Sequence, residues 1–148
     1  METLNIEQKF RKYFEPHELV SALHYKEFKD KLEVYDLFSD KLKAVIVYLR
    51  ESIGLSFTVN TWHKQGQFQY RGYRDKTCSI GAHHSLHKTG EALDFDIRGF
   101  EAEQGRKLIV EKIGNLPYPI RIENSVNWIH LDVAKFEGTH KIKFFNAK

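Results

Sequence analysis

The sequence has almost nothing with which to brace itself covalently. Among 148 residues there is one cysteine, Cys78, so no internal disulfide can form and a cysteine-rich zinc site is excluded. Any bound metal must be held by histidine and carboxylate. Proline occurs three times and glycine nine, without repeats, low-complexity tracts or a Pro/Ser-rich linker, which excludes a collagenous or disordered chain and offers no place to divide it. No run approaches the roughly 20 apolar residues of a membrane span, so no integral membrane association is expected. Met1 to Arg11 likewise lacks the apolar segment of a signal peptide. The expectation is one domain over residues 1–148, synthesised in the cytoplasm. Charge of one sign is scarce too: 23 Lys and Arg against 20 Asp and Glu leave a net +3, too little by itself to mark a nucleic-acid binder, although it suits an anionic partner.

What the chain does have is a 41% hydrophobic complement, enough for a core at this length, and eight histidines, of which His83, His84 and His87 crowd one segment. Residues 1–54 read as mainly helical and 55–148 as a sheet and metal-site region. Pro16 suits the first turn of a short helix through Leu23, and a second, charged helix follows from Tyr25. The clearest helix starts after Ser39, repeats Leu42, Val45, Ile46, Leu49 and Ile53 at helical spacing, and stops at Gly54. Ser56 to Asn60 then alternates as a half-buried strand.

Residues 61–90 form a long irregular stretch, rich in aromatics and histidine rather than in disorder-promoting residues, and so read as a site-building loop. It leads into a strand, Glu91 to Ile97, whose period of two sends Leu93, Phe95 and Ile97 to one face and Ala92, Asp94 and Asp96 to the other. Aspartate is depleted in strands, so two on one face require a reason. A helix from Glu101 to about Gly114 is followed by strands at 118–123 and 127–134, joined as a hairpin. In the second, Ile129, Leu131 and Val133 oppose Trp128, His130 and Asp132. With a last strand near Lys141 to Phe145, the fold class is α+β: helices packed on a small antiparallel sheet, with the site on the sheet face.

Two strands that each bury an aliphatic face and present acid or histidine on the other imply a converging polar face. His87 and Asp94 lie seven positions apart, and His130 comes from the other strand to complete three ligands. Any one of these residues alone is more often a hydrogen-bonded structural group. Together, two histidines and a carboxylate leave one tetrahedral position of a zinc ion for water, as catalytic sites do.

Ser85, His87, Gly90, Ala92 and Asp94, read as S-x-H-x-x-G-x-A-x-D, with Trp128-x-His130 downstream, resemble the signature of the D-alanyl-D-alanine carboxypeptidase and Hedgehog-like zinc peptidases. The Gly72-Tyr73-Arg74 segment, the Cys78 to Gly81 turn, Asp94-Phe95-Asp96 and the Trp-x-His-x-Asp end resemble the small bacterial and phage branch, over about residues 14–134. The resemblance implies zinc held by His87, Asp94 and His130, and hydrolysis of peptide bonds in peptidoglycan stem peptides, as carboxypeptidase or endopeptidase. Zinc so held would lower the pKa of its water to about 7 and polarise the scissile carbonyl. Arg74 matches the family arginine that holds substrate or oxyanion, with Arg71 a weaker candidate.

In better-known relatives a Glu or Asp stands three residues before the last zinc histidine; here that position is Asn127, which cannot take a proton. A hairpin turning at 124–127 puts Glu123 opposite Trp128, on the face of His130, and makes it the preferred general base. Asp132 is the second catalytic candidate, with orientation of the imidazole as its other role, and Asp96 shares that ambiguity. Ser85 braces the loop or a ligand. Trp128 and Tyr73 flank the cleft, and His83 and His84 line the groove or face solvent. Cys78 has no catalytic partner in the sequence.

Three functions compete. The first is a zinc peptidase acting at the bacterial cell wall, reached after lysis, holin release or virion delivery, as a phage endolysin or tail enzyme does. The second, suggested by Asn127, is a catalytically inactive zinc-containing binding or virion structural module. The third, a nucleic-acid binder, rests on the net charge and on Tyr70 and Tyr73 beside Arg71 and Arg74, and is the weakest.

Overall fold

A computed structural model describes residues 3–82 and 84–146 of the chain; His83 therefore lies outside the described residues. The helices are α1 (Ile6–Tyr13), α2 (Ala22–Glu27), α3 (Asp40–Ile53) and α4 (Ala102–Glu111). The strands are β1 (Phe57–Thr58), β2 (Ala92–Ile97), β3 (Ile120–Glu123), β4 (Ile129–Asp132) and β5 (Ile142–Phe145), in the order β1-β2-β4-β3-β5. The architecture is α+β. No helix among the described residues is long and apolar enough to cross a membrane.

Helix α3 forms as its sequence dictates. The Ser39 hydroxyl accepts the Leu42 N–H, Gly54 closes the helix in the left-handed region at φ 76°, and Leu42, Val45, Ile46 and Leu49 are fully buried. Each such side chain contributes roughly 1.5–3 kcal/mol of burial free energy. The apolar faces of β2 and β4 complete this core: Phe95 stacks on Phe57 at 4.5 Å, and α4 lies close over Ile129 because a Cβ on its Gly105 would stand 2.7 Å from the Ile129 Cδ1.

Several expectations are corrected. The helix expected from Pro16 through Leu23 is a 3-10 turn at Pro16–Glu18, followed by a break and then α2. The break serves the loop beyond it, because the Leu19 carbonyl accepts the Tyr73 N–H and the Val20 carbonyl accepts both Asn60 Nδ2 and Trp62 Nε1. The charged helix from Tyr25 is instead the end of α2 and a separate 3-10 run at Lys31–Leu37. Only Phe57 and Thr58 of the first expected strand pair with β2, since the buried Asn60 spends its side chain on Val20 and Arg71. Helix α4 ends at Glu111, short of Gly114, and a 3-10 turn at Ile113–Asn115 follows.

The sheet is mixed, not antiparallel: β5 runs parallel to β3, with Ile120 opposite Ile142. Both flanks of β4 are already taken, by β2 and β3, so the chain after β4 must cross to the outer edge. The β3–β4 register is also displaced by two residues. Arg121 pairs with Asp132 and Ile122 with Leu131, so the same ladder continued sets Glu123 opposite His130 rather than Trp128. The connection is held from the other layer, where the Arg106 guanidinium of α4 donates to the carbonyls of Val126 and Trp128.

Candidate metal centre

Alternation along β2 and β4 sends Asp94 and His130 to the same sheet face, where they stand directly opposite each other. The third residue, His87, sits in the 3-10 turn Leu86–Thr89. Ser85 caps that turn, its hydroxyl accepting the His87 N–H at 3.2 Å. Gly90 ends it at φ 72°, in a position where a Cβ would lie 1.9 Å from the Leu37 carbonyl oxygen. A strap at residues 71–74 locks turn to sheet: Asp94 N–H donates to Arg71 O, and Arg74 N–H to His87 O. Only glycine fits at position 72, because a Cβ there would stand 2.1 Å from the Leu19 oxygen.

This strap orients the His87 ring. The ring is 2% exposed, and its Nδ1 lies 2.8 Å from Gly72 O. A carbonyl only accepts, so Nδ1 carries a proton, and Nε2 is the nitrogen left to face Asp94. That Nε2 is buried, lies 3.2 Å from Asp94 Oδ1, and has no hydrogen-bond partner among the described residues.

His130 is oriented from the opposite side. Its Nε2 donates to Asp132 Oδ2 at 2.9 Å and its Nδ1 to Asp94 Oδ1 at 2.8 Å. Asp132 is fully buried and gripped by both nitrogens of an Arg121 fork, at 2.8 and 2.9 Å, and by the Ala134 N–H.

The electrostatics follow from this packing. Burial works to raise the Asp94 carboxyl, but the His87 and His130 rings outweigh it and hold the group well below the usual carboxylate range. Burial likewise opposes charge on His130, yet Asp132 and Asp94 push it up to about 9. Asp132, also desolvated, is held low by His130 and Arg121.

One ligand atom from each of His87, Asp94 and His130 lies within 4.8 Å of the others. The orphaned Nε2 of His87, the Asp132 grip that leaves His130 Nδ1 facing the carboxylate, and the N,O,N donor set together fit a divalent cation. These atoms lie in a cleft of about 670 Å³, whose walls include Arg74, Ser85, Glu123, Trp128 and Asp132. Glu123 is half-buried there, and no hydrogen bond or ion pair holds its carboxylate among the described residues. Arg74 Nε donates to Tyr70 O at 2.7 Å, and its Nη2 lies 3.4 Å from Asp94 Oδ2.

Other candidates lie elsewhere. Asp96 pairs at 2.7 Å with Arg71, whose guanidinium lies 3.6 Å over the Phe68 ring, so this carboxylate reaches neither imidazole. Tyr73 packs on His24 and Phe38. Asn127 is exposed, beside α4 and outside the cleft. His84 does line the cleft. The sequence reading missed Arg121 and Phe145. Arg121 shares its face with Glu123 by simple alternation and was there to be found. Phe145, 5.7 Å from the His130 ring and beneath the Arg121 guanidinium, arrives through the crossover, for which no local pattern exists. Comparison of the chain with family models, with curated proteins and with solved structures finds no match in any of the three.

Proposed function

We propose that the protein is a zinc-dependent peptidase that hydrolyses peptide bonds in bacterial peptidoglycan stem peptides. The observation that carries this reading is the buried Nε2 of His87, without a hydrogen-bond partner among the described residues, facing Asp94 and His130 in an open cleft that also holds Glu123, unpaired among the same residues. The substrate class comes from the resemblance of the sequence to cell-wall zinc peptidases. Zinc held by His87, Asp94 and His130 would supply Lewis acidity to the scissile carbonyl and acidify water at neutral pH.

The chain's own residues do the rest. The Gly72 carbonyl accepts from His87 Nδ1 and the Asp132 carboxylate from His130 Nε2, so that with a cation in place of the second ring proton His87 Nε2 and His130 Nδ1 would be the ligand atoms. Glu123 takes a proton from the water that adds to the carbonyl carbon, and returns it to the amine nitrogen as the C–N bond breaks. Arg74 donates to the developing oxyanion or to a substrate carboxylate, and Trp128 wall off one side of the peptide path together with Phe145.

The test is elemental analysis of wild type and His87→Ala, with peptidoglycan hydrolysis followed in parallel. One zinc per chain, lost in the variant together with hydrolysis, supports the proposal. Zinc without hydrolysis overturns it in favour of a zinc-containing binding or virion structural module, the reading to which Asn127 points.

A further inference from the structure

A pair of histidines stands apart from the metal centre. His17, in the 3-10 turn Pro16–Glu18, and His63, in a 3-10 turn at Trp62–Lys64, bring their ring centroids to 4.1 Å with the planes tilted by 51°. We propose that this pair is a second metal site, which takes a copper(II) or nickel(II) ion on its two imidazoles and clips the helical layer to the start of the loop that builds the cleft.

The placement of the two rings is the first argument. Their segments are far apart along the chain and are tied at the backbone, where Asn60 N–H donates to Glu18 O at 3.1 Å and Trp62 Nε1 to Val20 O at 2.8 Å. The turn that carries His63 is itself closed, because the N–H groups of Lys64 and Gly66 both donate to Thr61 O. It is also tight: a Cβ on Gly66 would stand 2.2 Å from Thr61 Oγ1. Both imidazoles are therefore positioned before any ion arrives, and binding costs little ordering entropy.

His63 supplies a second and independent argument. Its Nδ1 is buried and has no hydrogen-bond partner among the described residues. A buried nitrogen left in that state is costly, and a bound ion is one of the few groups that satisfies it. Burial, then the neighbouring His17 and Lys64, holds the pKa of His63 below its usual value, so at neutral pH the ring is uncharged and keeps a lone pair for a metal.

The spacing selects the ion. An imidazole nitrogen sits about 2.0–2.1 Å from such a cation, which puts each ring centroid about 3.2 Å away from it. Centroids 4.1 Å apart then subtend about 80° at the ion. That is near the right angle of a square-planar or octahedral ion and well short of the roughly 109° of tetrahedral zinc. Imidazole donors in a tetragonal arrangement belong to copper(II) and nickel(II), with water in the remaining positions. The site shares no residue with the group His87, Asp94 and His130.

The experiment titrates copper(II) into full-length His87→Ala, in which the other centre has lost a ligand. It follows paramagnetic broadening of the amide resonances, the copper EPR spectrum and the urea midpoint. The expected result is broadening centred on residues 16–18 and 62–65, superhyperfine splitting from two nitrogens, and a midpoint that rises with copper. His17→Asn and His63→Asn should each abolish the local broadening and the two-nitrogen pattern. Broadening centred on Asp94 and His130 or scattered over other histidines, splitting from one nitrogen, an unmoved midpoint, or a pattern that survives either substitution overturns the proposal. The nitrogen count and the broadening map are read with both histidines present, so they decide the matter even where an asparagine variant unfolds.

Discussion

Glu123 and Asp132 are carboxylates on neighbouring strands of one sheet face, yet their surroundings give them opposite work. Asp132 is fully buried, and its oxygens are bound by Arg121, His130 and the Ala134 N–H, so it has little freedom to move a proton. Glu123 is half-buried in the cleft and unpaired among the described residues. Two substitutions separate these roles. Glu123→Gln should lower kcat by about 10²–10⁴-fold with zinc content unchanged, read by steady-state hydrolysis beside elemental analysis. A variant that loses zinc and activity in parallel would make Glu123 structural. Asp132→Asn should instead weaken zinc binding by about 10–100-fold, measured by competition with a chelator of known affinity, because the amide keeps one acceptor oxygen for donors on Arg121, His130 and Ala134 and turns an NH2 group toward the rest, which disturbs the orientation of the His130 ring. Unchanged affinity would show that packing alone holds the ring.

At the scale of elements, the centre depends on a short turn meeting a sheet. His87 occupies its place because Ser85 begins the 3-10 turn, Gly90 ends it in the left-handed region, and the strap at 71–74 bonds both to the turn and to Asp94. Gly90→Ala combines a strained φ with a collision at the Leu37 carbonyl, so it should cost more than about 1 kcal/mol in urea unfolding and also weaken zinc binding. Ser39→Ala removes the N-cap of α3 and should cost about 0.5–2 kcal/mol while leaving zinc affinity intact. If both variants lowered affinity alike, general stability rather than turn geometry would govern the site. The elements differ in how legible they were for the same reason. Helix α3 and the two-faced strands β2 and β4 follow local periodicity. The break after Glu18 follows bonds from Leu19 and Val20 to residues some 40 or more positions away.

Across the whole molecule, pH probes how the helical layer closes on itself. Tyr35, buried against Phe10, donates its hydroxyl to Phe14 O at 2.6 Å, and burial, then nearby Glu15, push its pKa from 10 up to about 12. Between those values the folded chain keeps a proton that the unfolded chain has released. The contribution is therefore whole below pH 10 and is lost as pH climbs through about 12. Tyr35→Phe should flatten the alkaline fall of stability in that window, at a loss of about 1 kcal/mol near neutrality for the missing hydrogen bond. Urea midpoints at pH 7, 10 and 11.5 check both, and an alkaline limb as steep as that of wild type would place the titration elsewhere.

The sequence by itself determined the α+β class, the long core helix, and the grouping of Asp94, His130 and Asp132 on one polar face. Each follows from the fixed periods of helix and strand, which any local stretch of chain reveals. It also brought His87, Arg74 and Glu123 into consideration, through a motif and through alternation. Only the tertiary structure decided which nitrogen of His87 faces Asp94, that Arg71 serves Asp96 while Arg74 borders the cleft, that the β3–β4 register sets Arg121 opposite Asp132, and that β5 joins parallel to bring Phe145 against the site. Those facts depend on a backbone carbonyl donated by a distant strap, on the register of a hairpin held by Arg106 from another layer, and on which sheet edges remained open. None of these carries a local signature, because each is set by contact between segments far apart along the chain.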